Sequence, residues 1–209
     1  MQRFLVIMLL ALSVVALGLP AATHAAEVTQ REFSGYTVQA LFSDIDAATC
    51  LRTHVGLQAI EDRTQSMGQP TVRSSALISI YQGNFCTGET LLAATGVTDV
   101  PLAALQVDQR LKTATFNATL NAFDDVTAAW RPVEVSLAWT ATGDPSYQEK
   151  EHSQWSEPGF RINSYTSGTS RPAVASGSVS LAGSRNLTPA PSEWGRIKDA
   201  RIGSVEISQ

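Results

Sequence analysis

Two stretches in the middle of the chain alternate apolar and polar residues with a period of two, one at 113–122 and the other at 133–141. Successive side chains of a β-strand point to opposite faces of the sheet, so this pattern places one row of side chains in a core and the other in solvent. No stretch carries the 3.6-residue apolar period of an amphipathic helix. The sequence therefore predicts paired β-strands, the second of which ends at Gly143-Asp144-Pro145.

Shorter alternating stretches continue this pattern on both sides of the pair, at 36–42, 50–59, 75–82, 91–97, 173–181 and 201–208. Turn-forming Asp, Ser, Asn and Gly separate them, and the polar composition of 61–70 predicts a loop. About eight or nine short strands without a helix favour an all-β fold. We expect a two-layer antiparallel β-sandwich of immunoglobulin-like or jelly-roll kind, with an antiparallel β-barrel as the alternative.

The N-terminus has the composition of a cleavable export signal. One positive charge, Arg3, precedes an apolar run at 4–19, and small residues follow up to the polar Glu27. These are the n-region, h-region and cleavage site of a secretory signal peptide. Sixteen residues at about 1.5 Å each cover about 24 Å of a hydrocarbon core about 30 Å thick, which disfavours an uncleaved anchor. We expect cleavage near Ala25 or Ala26, a secreted or periplasmic location, and no membrane insertion after cleavage.

The predicted organisation is a signal peptide at 1–25, a flexible lead-in at 26–35 and a single β-sandwich domain at 36–209. Cys50 and Cys86 are the only cysteines. An even pair in an exported chain usually bonds, so we expect a disulfide between them. The whole chain has a formal charge of −4, which becomes −5 once Arg3 is removed, because 1–25 contains no acidic residue. This acidic excess argues against nucleic acid as a partner.

Four short motifs are spread over most of the mature chain: Ser43-Asp44-x-Asp46 before Cys50, Tyr81 before Cys86-Thr87-Gly88, Leu111-Lys112-x-Ala114-Thr115, and Trp139-x-x-x-Gly143. With these motifs the chain resembles a group of small exported bacterial β-sandwich proteins of unknown role with one disulfide. The resemblance implies export and an all-β fold, and it implies no chemistry.

A polar segment at 147–171 is rich in aromatic, guanidinium and amide side chains. Its members are Tyr147, Trp155, Phe160, Arg161, Asn163, Tyr165 and Arg171. Aromatic faces beside hydrogen-bond donors suit sugar rings or peptides, because they offer apolar contact and directed hydrogen bonds together. The segment is therefore our predicted ligand-binding surface. The alternative is a long hairpin whose aromatic side chains pack on the domain.

No standard catalytic signature is present in the sequence. After cleavage, His54 and His152 are the only histidines, and His54 is expected to be a solvated strand residue. His152 follows Glu149 and Glu151, and a carboxylate beside an imidazole could act in acid–base chemistry. These three residues are the candidates for a secreted hydrolase, although a solvated run of charges is the simpler interpretation.

Two aspartate pairs offer the oxygen ligands that calcium prefers, Asp44 with Asp46 and Asp124 with Asp125. Neither has the full spacing of a calcium loop, and aspartate also favours turns. We therefore expect no cofactor, with calcium as the alternative. Asn117-Ala118-Thr119 and Asn186-Leu187-Thr188 match the N-glycosylation pattern, which matters only in a eukaryotic source.

Taken together, the sequence favours an exported, non-catalytic protein that binds an extracellular ligand, either a carbohydrate or a protein, through 147–171. The alternatives are the hydrolase built on His152 and a structural component of an envelope or matrix.

Overall fold

The computed structural model describes residues 27–66, 69–157, 160–181 and 186–208. The predicted signal peptide lies outside these ranges. The described ranges contain ten strands: β1 (Glu27–Asp46), β2 (Leu51–Ser66), β3 (Gln69–Asn84), β4 (Glu89–Asp99), β5 (Leu105–Val107), β6 (Thr113–Asp124), β7 (Ala129–Ala141), β8 (Ser146–Glu157), β9 (Phe160–Leu181) and β10 (Trp194–Ser208). A short 3-10 helix at Leu102–Ala104 is the one helical element of the described chain. The all-β prediction is confirmed.

All strands belong to one antiparallel sheet with the order β10-β1-β2-β3-β4-β6-β7-β9-β8, and β5 pairs with β6. The hydrogen-bonded path closes because β10 also pairs with β9. The length of β9 makes this closure possible. Residues 173–181 pair with β7, whereas 160–172 pair with β10 along one edge. This arrangement is compatible with both the sandwich and the barrel expected from the sequence.

The core lies between the inward faces of the closed part of the sheet. Trp139 and Phe116 are its largest fully buried side chains. The two alternating stretches at 113–122 and 133–141 supply β6 and β7, which pair along their whole length. Their apolar rows face the core as predicted, with eight buried members: Ala114, Phe116, Leu120, Ala122, Val133, Val135, Leu137 and Trp139.

The structure differs from the sequence analysis at two polar segments. Residues 27–35, expected as a flexible lead-in, form the first part of β1 and pair with β10. Most of 61–70, expected as a loop, extends β2 and β3 as a long hairpin. Side chains here are intermediate or exposed on both faces where they are described. Apolar alternation is absent from these segments, because their described side chains are not buried in a core on either face.

Three hairpin turns of the molecule share one design. Asp46, Asn84 and Asp124 each accept a hydrogen bond from the backbone N–H two residues later, at 3.0, 3.0 and 3.1 Å. The residue before the next strand has a positive φ in all three turns: 56° at Cys50, 77° at Gly88 and 52° at Ala128. Side-chain acceptors of this kind satisfy turn amides that the ladder leaves unpaired.

The predicted disulfide is present. Cys50 and Cys86 are bonded, with their Cα atoms 5.7 Å apart, so the β1–β2 turn is tied to the β3–β4 turn. Disulfides of this kind persist in oxidising compartments, which points to a location outside the cytoplasm. Within the described ranges, no helix is long and apolar enough to cross a membrane.

Candidate functional site

The predicted binding segment forms the hairpin of β8 and β9. Tyr147 pairs with Thr169, and antiparallel partners project on the same face. The odd-numbered residues of β9 also lie on this face. Further along the same strand, this face includes Ala173 and Ala175, whose side chains are buried in the core. All predicted members with described side chains therefore share one face: Tyr147, Arg161, Asn163, Tyr165 and Arg171.

Several of these side chains have structural contacts. Arg171 donates hydrogen bonds from Nε to the Gly143 carbonyl and from Nη1 to the Arg110 carbonyl, both at 3.1 Å. The Tyr165 ring lies over Gly203, on the adjacent strand, where a Cβ would overlap it. Tyr147 is 77% exposed. Among its described side chains, this face therefore combines the exposed ring of Tyr147 with Arg171 and Tyr165, which contact residues outside the hairpin.

The remaining residues of this prediction lie outside the described side chains. These are Trp155 and Phe160 of the binding surface, and Glu149, Glu151 and His152 of the hydrolase hypothesis. The backbone of β8 pairs with β9, with an irregularity between Gln148 and Glu151. The hydrolase hypothesis stays a prediction.

Of the aspartates singled out as calcium candidates, Asp46, Asp124 and Asp125 lie at turns, whereas Asp44 lies within a strand. Asp46 Oδ1 accepts hydrogen bonds from the backbone of Ala48 and Thr49. Asp44 is partly buried on β1, and Asp125 is exposed. Among the side chains that the structure describes, no three His, Cys, Asp or Glu residues are grouped so that they could hold a metal ion.

Asp124 is fully buried. Its Oδ2 accepts from the Thr127 hydroxyl at 2.7 Å and from the Arg131 guanidinium at 3.4 Å. Its Oδ1 accepts from the backbone N–H groups of Val126 and Ala93. Burial raises the pKa of a carboxyl, but these four hydrogen bonds outweigh it, so the pKa of Asp124 lies below its ordinary value of 3.8. We call the Asp124 carboxylate the turn anchor, because its hydrogen bonds stabilise the β6–β7 turn.

His54 takes part in a short hydrogen-bonded chain on the outer face of the sheet. Its Nδ1 lies 2.8 Å from Ser43 Oγ, and Ser43 Oγ donates to Glu193 Oε2 at 3.0 Å. A hydroxyl has one proton, so Nδ1 must carry the proton of the first bond. The Ser43 hydroxyl thus donates its proton to the Glu193 carboxylate. In an activated serine nucleophile the hydroxyl would instead donate to the histidine. These hydrogen bonds hold the side chain of Glu193 in place, and its backbone N–H donates to the Leu41 carbonyl.

A groove of about 290 Å³ lies beside this chain, on the outer face of β10, β1, β2 and β3. Its hollow is at Gly56, which pairs with Leu41 on one side and Ser79 on the other. A Cβ at position 56 would lie 2.8 Å from Ser79 Oγ, so the missing side chain creates the space. We call this feature the Trp194 groove, lined by Gln39, Ala40, Leu41, Gly56, Leu57, Gln58, Leu77, Ser79 and Trp194.

The Trp194 groove combines exposed apolar walls with paired amides. Trp194, Leu41 and Leu77 are 44%, 42% and 47% exposed, which is unusual for large apolar side chains grouped on one surface. Gln39 Nε2 donates to Gln58 Oε1 at 3.1 Å. This leaves the Gln39 oxygen, the second Gln39 amide hydrogen and both Gln58 amide hydrogens for a ligand.

Sequence reasoning missed this groove. Its signal is Gly56, a glycine in the middle of an otherwise well-formed strand, which marks a close approach of another group. Trp194 is 138 residues away along the chain and meets it only through the pairing of β10 with β1.

A second concavity, of about 440 Å³, lies on the outer face of β6, β7 and β9. It is lined mainly by polar side chains: Asn117, Thr119, Glu134, Ser136, Ser178 and Ser180. Ser136 Oγ donates to Asn117 Oδ1 at 2.8 Å. Among the residues that the structure describes, no aromatic ring lines it.

Neither a protein-family model nor a curated protein matches the chain. A comparison with solved structures finds the crystal structure of a putative AttH from Nitrosomonas europaea, with 13% identity and a TM-score of 0.31. The match covers 87% of this chain and 51% of that one, so the chain spans about half the length of that structure. A similarity of this size carries no argument about fold or function.

Proposed function

We propose that the protein is an exported carbohydrate-binding protein and that its sugar ligand occupies the Trp194 groove. Export is supported by the signal-peptide composition of 1–25 and by the Cys50–Cys86 disulfide. The resemblance to small exported bacterial β-proteins supports the same location. After cleavage the protein is secreted or periplasmic.

One arrangement carries this proposal. The indole ring of Trp194 and the hydrogen-bonded side chains of Gln39 and Gln58 line the same groove, and Gly56 lies at its bottom. A sugar ring presents an apolar face of C–H groups and a rim of hydroxyls. Trp194 and Leu41 offer contact to the face, and Gln39 and Gln58 offer the Gln39 oxygen and three amide hydrogens to the rim. Gly56 lets the ring approach the sheet backbone closely.

A glycan array with the mature, disulfide-bonded protein tests this proposal. Trp194→Ala removes the ring, and Gly56→Val fills the hollow with a side chain that strands accept well. We expect both variants to lose the glycan signal. Trp130→Ala is the matched control, because Trp130 is 66% exposed on β7 and does not line the groove. Unchanged binding by Trp194→Ala and Gly56→Val would exclude the groove.

The face of 147–171 is the second candidate, for a carbohydrate or protein ligand. The 77% exposure of Tyr147 and the shared face of the five described members favour it. Tyr147→Ala on the same array separates the two surfaces. A signal lost with Tyr147→Ala and kept with Trp194→Ala would assign binding to the hairpin.

A further inference from the structure

Charges of opposite sign lie at the two ends of the Trp194 groove, positive at the end of Gln39 and negative at the end of Glu193. β10 runs along the groove, and its outward residues are Trp194, Arg196 and Lys198, because Ile197 between them is fully buried. Arg196 pairs with Gln39 in the register, at the end of the groove formed by the glutamines. Lys198 lies two residues further along the strand, at about 6.6 Å rise.

The acidic end is opposite. Glu193 precedes Trp194, and its carboxylate already accepts a hydrogen bond from Ser43, next to His54. Among the residues that the structure describes, Arg196 has no carboxylate or hydrogen-bond partner of this kind. Its guanidinium lies 5.6 Å from the centre of the Trp194 ring, and within the described ranges neither Arg196 nor Lys198 forms an ion pair. Two cations that form no ion pair within the described ranges therefore follow Trp194 on the outward face of β10, beginning beside the glutamine end of the groove, in a chain whose formal charge is −4.

We propose that the sugar bound in the Trp194 groove carries a carboxylate, and that Arg196 binds this carboxylate with support from Lys198. This inference rests on the function proposed above. A guanidinium offers planar donors that match the two oxygens of a carboxylate. The guanidinium lies over the Trp194 ring, and this contact limits the conformations of Arg196, so less side-chain freedom is lost when the ligand binds. The ligand class is an acidic oligosaccharide built from uronic acids, with its ring on Trp194 and its carboxylate at the Gln39 end.

Isothermal titration calorimetry with matched ligands tests this proposal. The probes are trimers of galacturonate, glucuronate and mannuronate, each compared with its methyl ester, which keeps the ring and removes the charge. We expect at least one acid to bind about tenfold more tightly than its ester, the effect of one charge-assisted hydrogen-bonded pair. Added salt weakens binding of the acid and not of the ester.

Arg196→Gln removes the charge and keeps a polar side chain. We expect it to abolish the preference for the acid, whereas Arg110→Gln, at an exposed arginine in the loop before β6, leaves the preference intact.

Three results would each overturn the inference: equal affinity for acid and ester, an Arg196→Gln variant that keeps the preference, or no binding of any of the three acids. If acid and ester bind equally and Trp194→Ala abolishes both, the groove stands as a sugar site and the carboxylate assignment alone fails. If Trp194→Ala leaves sugar binding unchanged, the proposed function itself fails.

Discussion

The indole Nε1–H of Trp139 donates a hydrogen bond to the backbone carbonyl of Gln39 at 2.8 Å. Trp139 lies on β7 and Gln39 on β1, strands that are not neighbours in the sheet, so the bond crosses the interior. The Gln39 side chain lies on the outer surface and is bonded to Gln58 in the Trp194 groove. A single residue thus connects the core of the molecule to the wall of the candidate site.

Trp139→Phe keeps an aromatic ring and removes the donor. Trp139 is 1% exposed, so the Gln39 carbonyl would lose a buried partner. We expect the free energy of unfolding to fall by about 1–3 kcal/mol, measured by urea denaturation. Trp130→Phe, at a ring that is 66% exposed, is the control and should change it by less than about 0.5 kcal/mol. Equal effects of the two variants would show that the hydrogen bond does not stabilise the fold.

Asp124→Asn tests the buried turn anchor. The asparagine amide would face the donors of Thr127 and Arg131, so we expect a loss of about 1–3 kcal/mol at neutral pH. Because the pKa of Asp124 is lowered in the folded state, its contribution is present above the ordinary value of 3.8 and is lost as pH falls through the folded-state pKa.

The difference between wild type and Asp124→Asn should therefore be largest near neutral pH and shrink below about pH 4. Urea denaturation across this range measures it. Asp125→Asn is the neighbouring control, because Asp125 is exposed in the same turn. A difference that stays constant with pH would show that ionisation of Asp124 does not stabilise the fold.

Gly88 and Ala128 occupy equivalent positions in two hairpin turns, with φ of 77° and 52°. A Cβ at Gly88 would meet no atom within 4 Å, so Gly88→Ala tests backbone conformation alone. We expect Gly88→Ala to destabilise the protein by about 1 kcal/mol, because L-residues disfavour this region. Ala128→Gly should stabilise it by about 0.5–1 kcal/mol for the same reason. Thermal unfolding of both variants measures this, and shifts of the same sign would contradict the shared turn design.

Local signals gave good predictions where one face of a strand covers the core. Leu120 and Val133 could be assigned inward from alternation alone, because a one-residue register shift would expose the whole apolar row. The disulfide between Cys50 and Cys86 was predictable because the chain has no other cysteine. Alternation failed at 27–35, where hydrogen bonding to β10 forms the strand and the described side chains, those of 32–35, are partly exposed.

The sequence by itself determined that the chain folds as an antiparallel all-β protein with one disulfide, since side-chain period and cysteine number are local properties. Only the tertiary structure decided where a ligand could bind. The Trp194 groove joins Gly56 of β2 to Trp194 of β10 through Leu41 of β1, and that contact depends on strand order and register. Order and register follow from the packing of the whole core, which no single segment specifies.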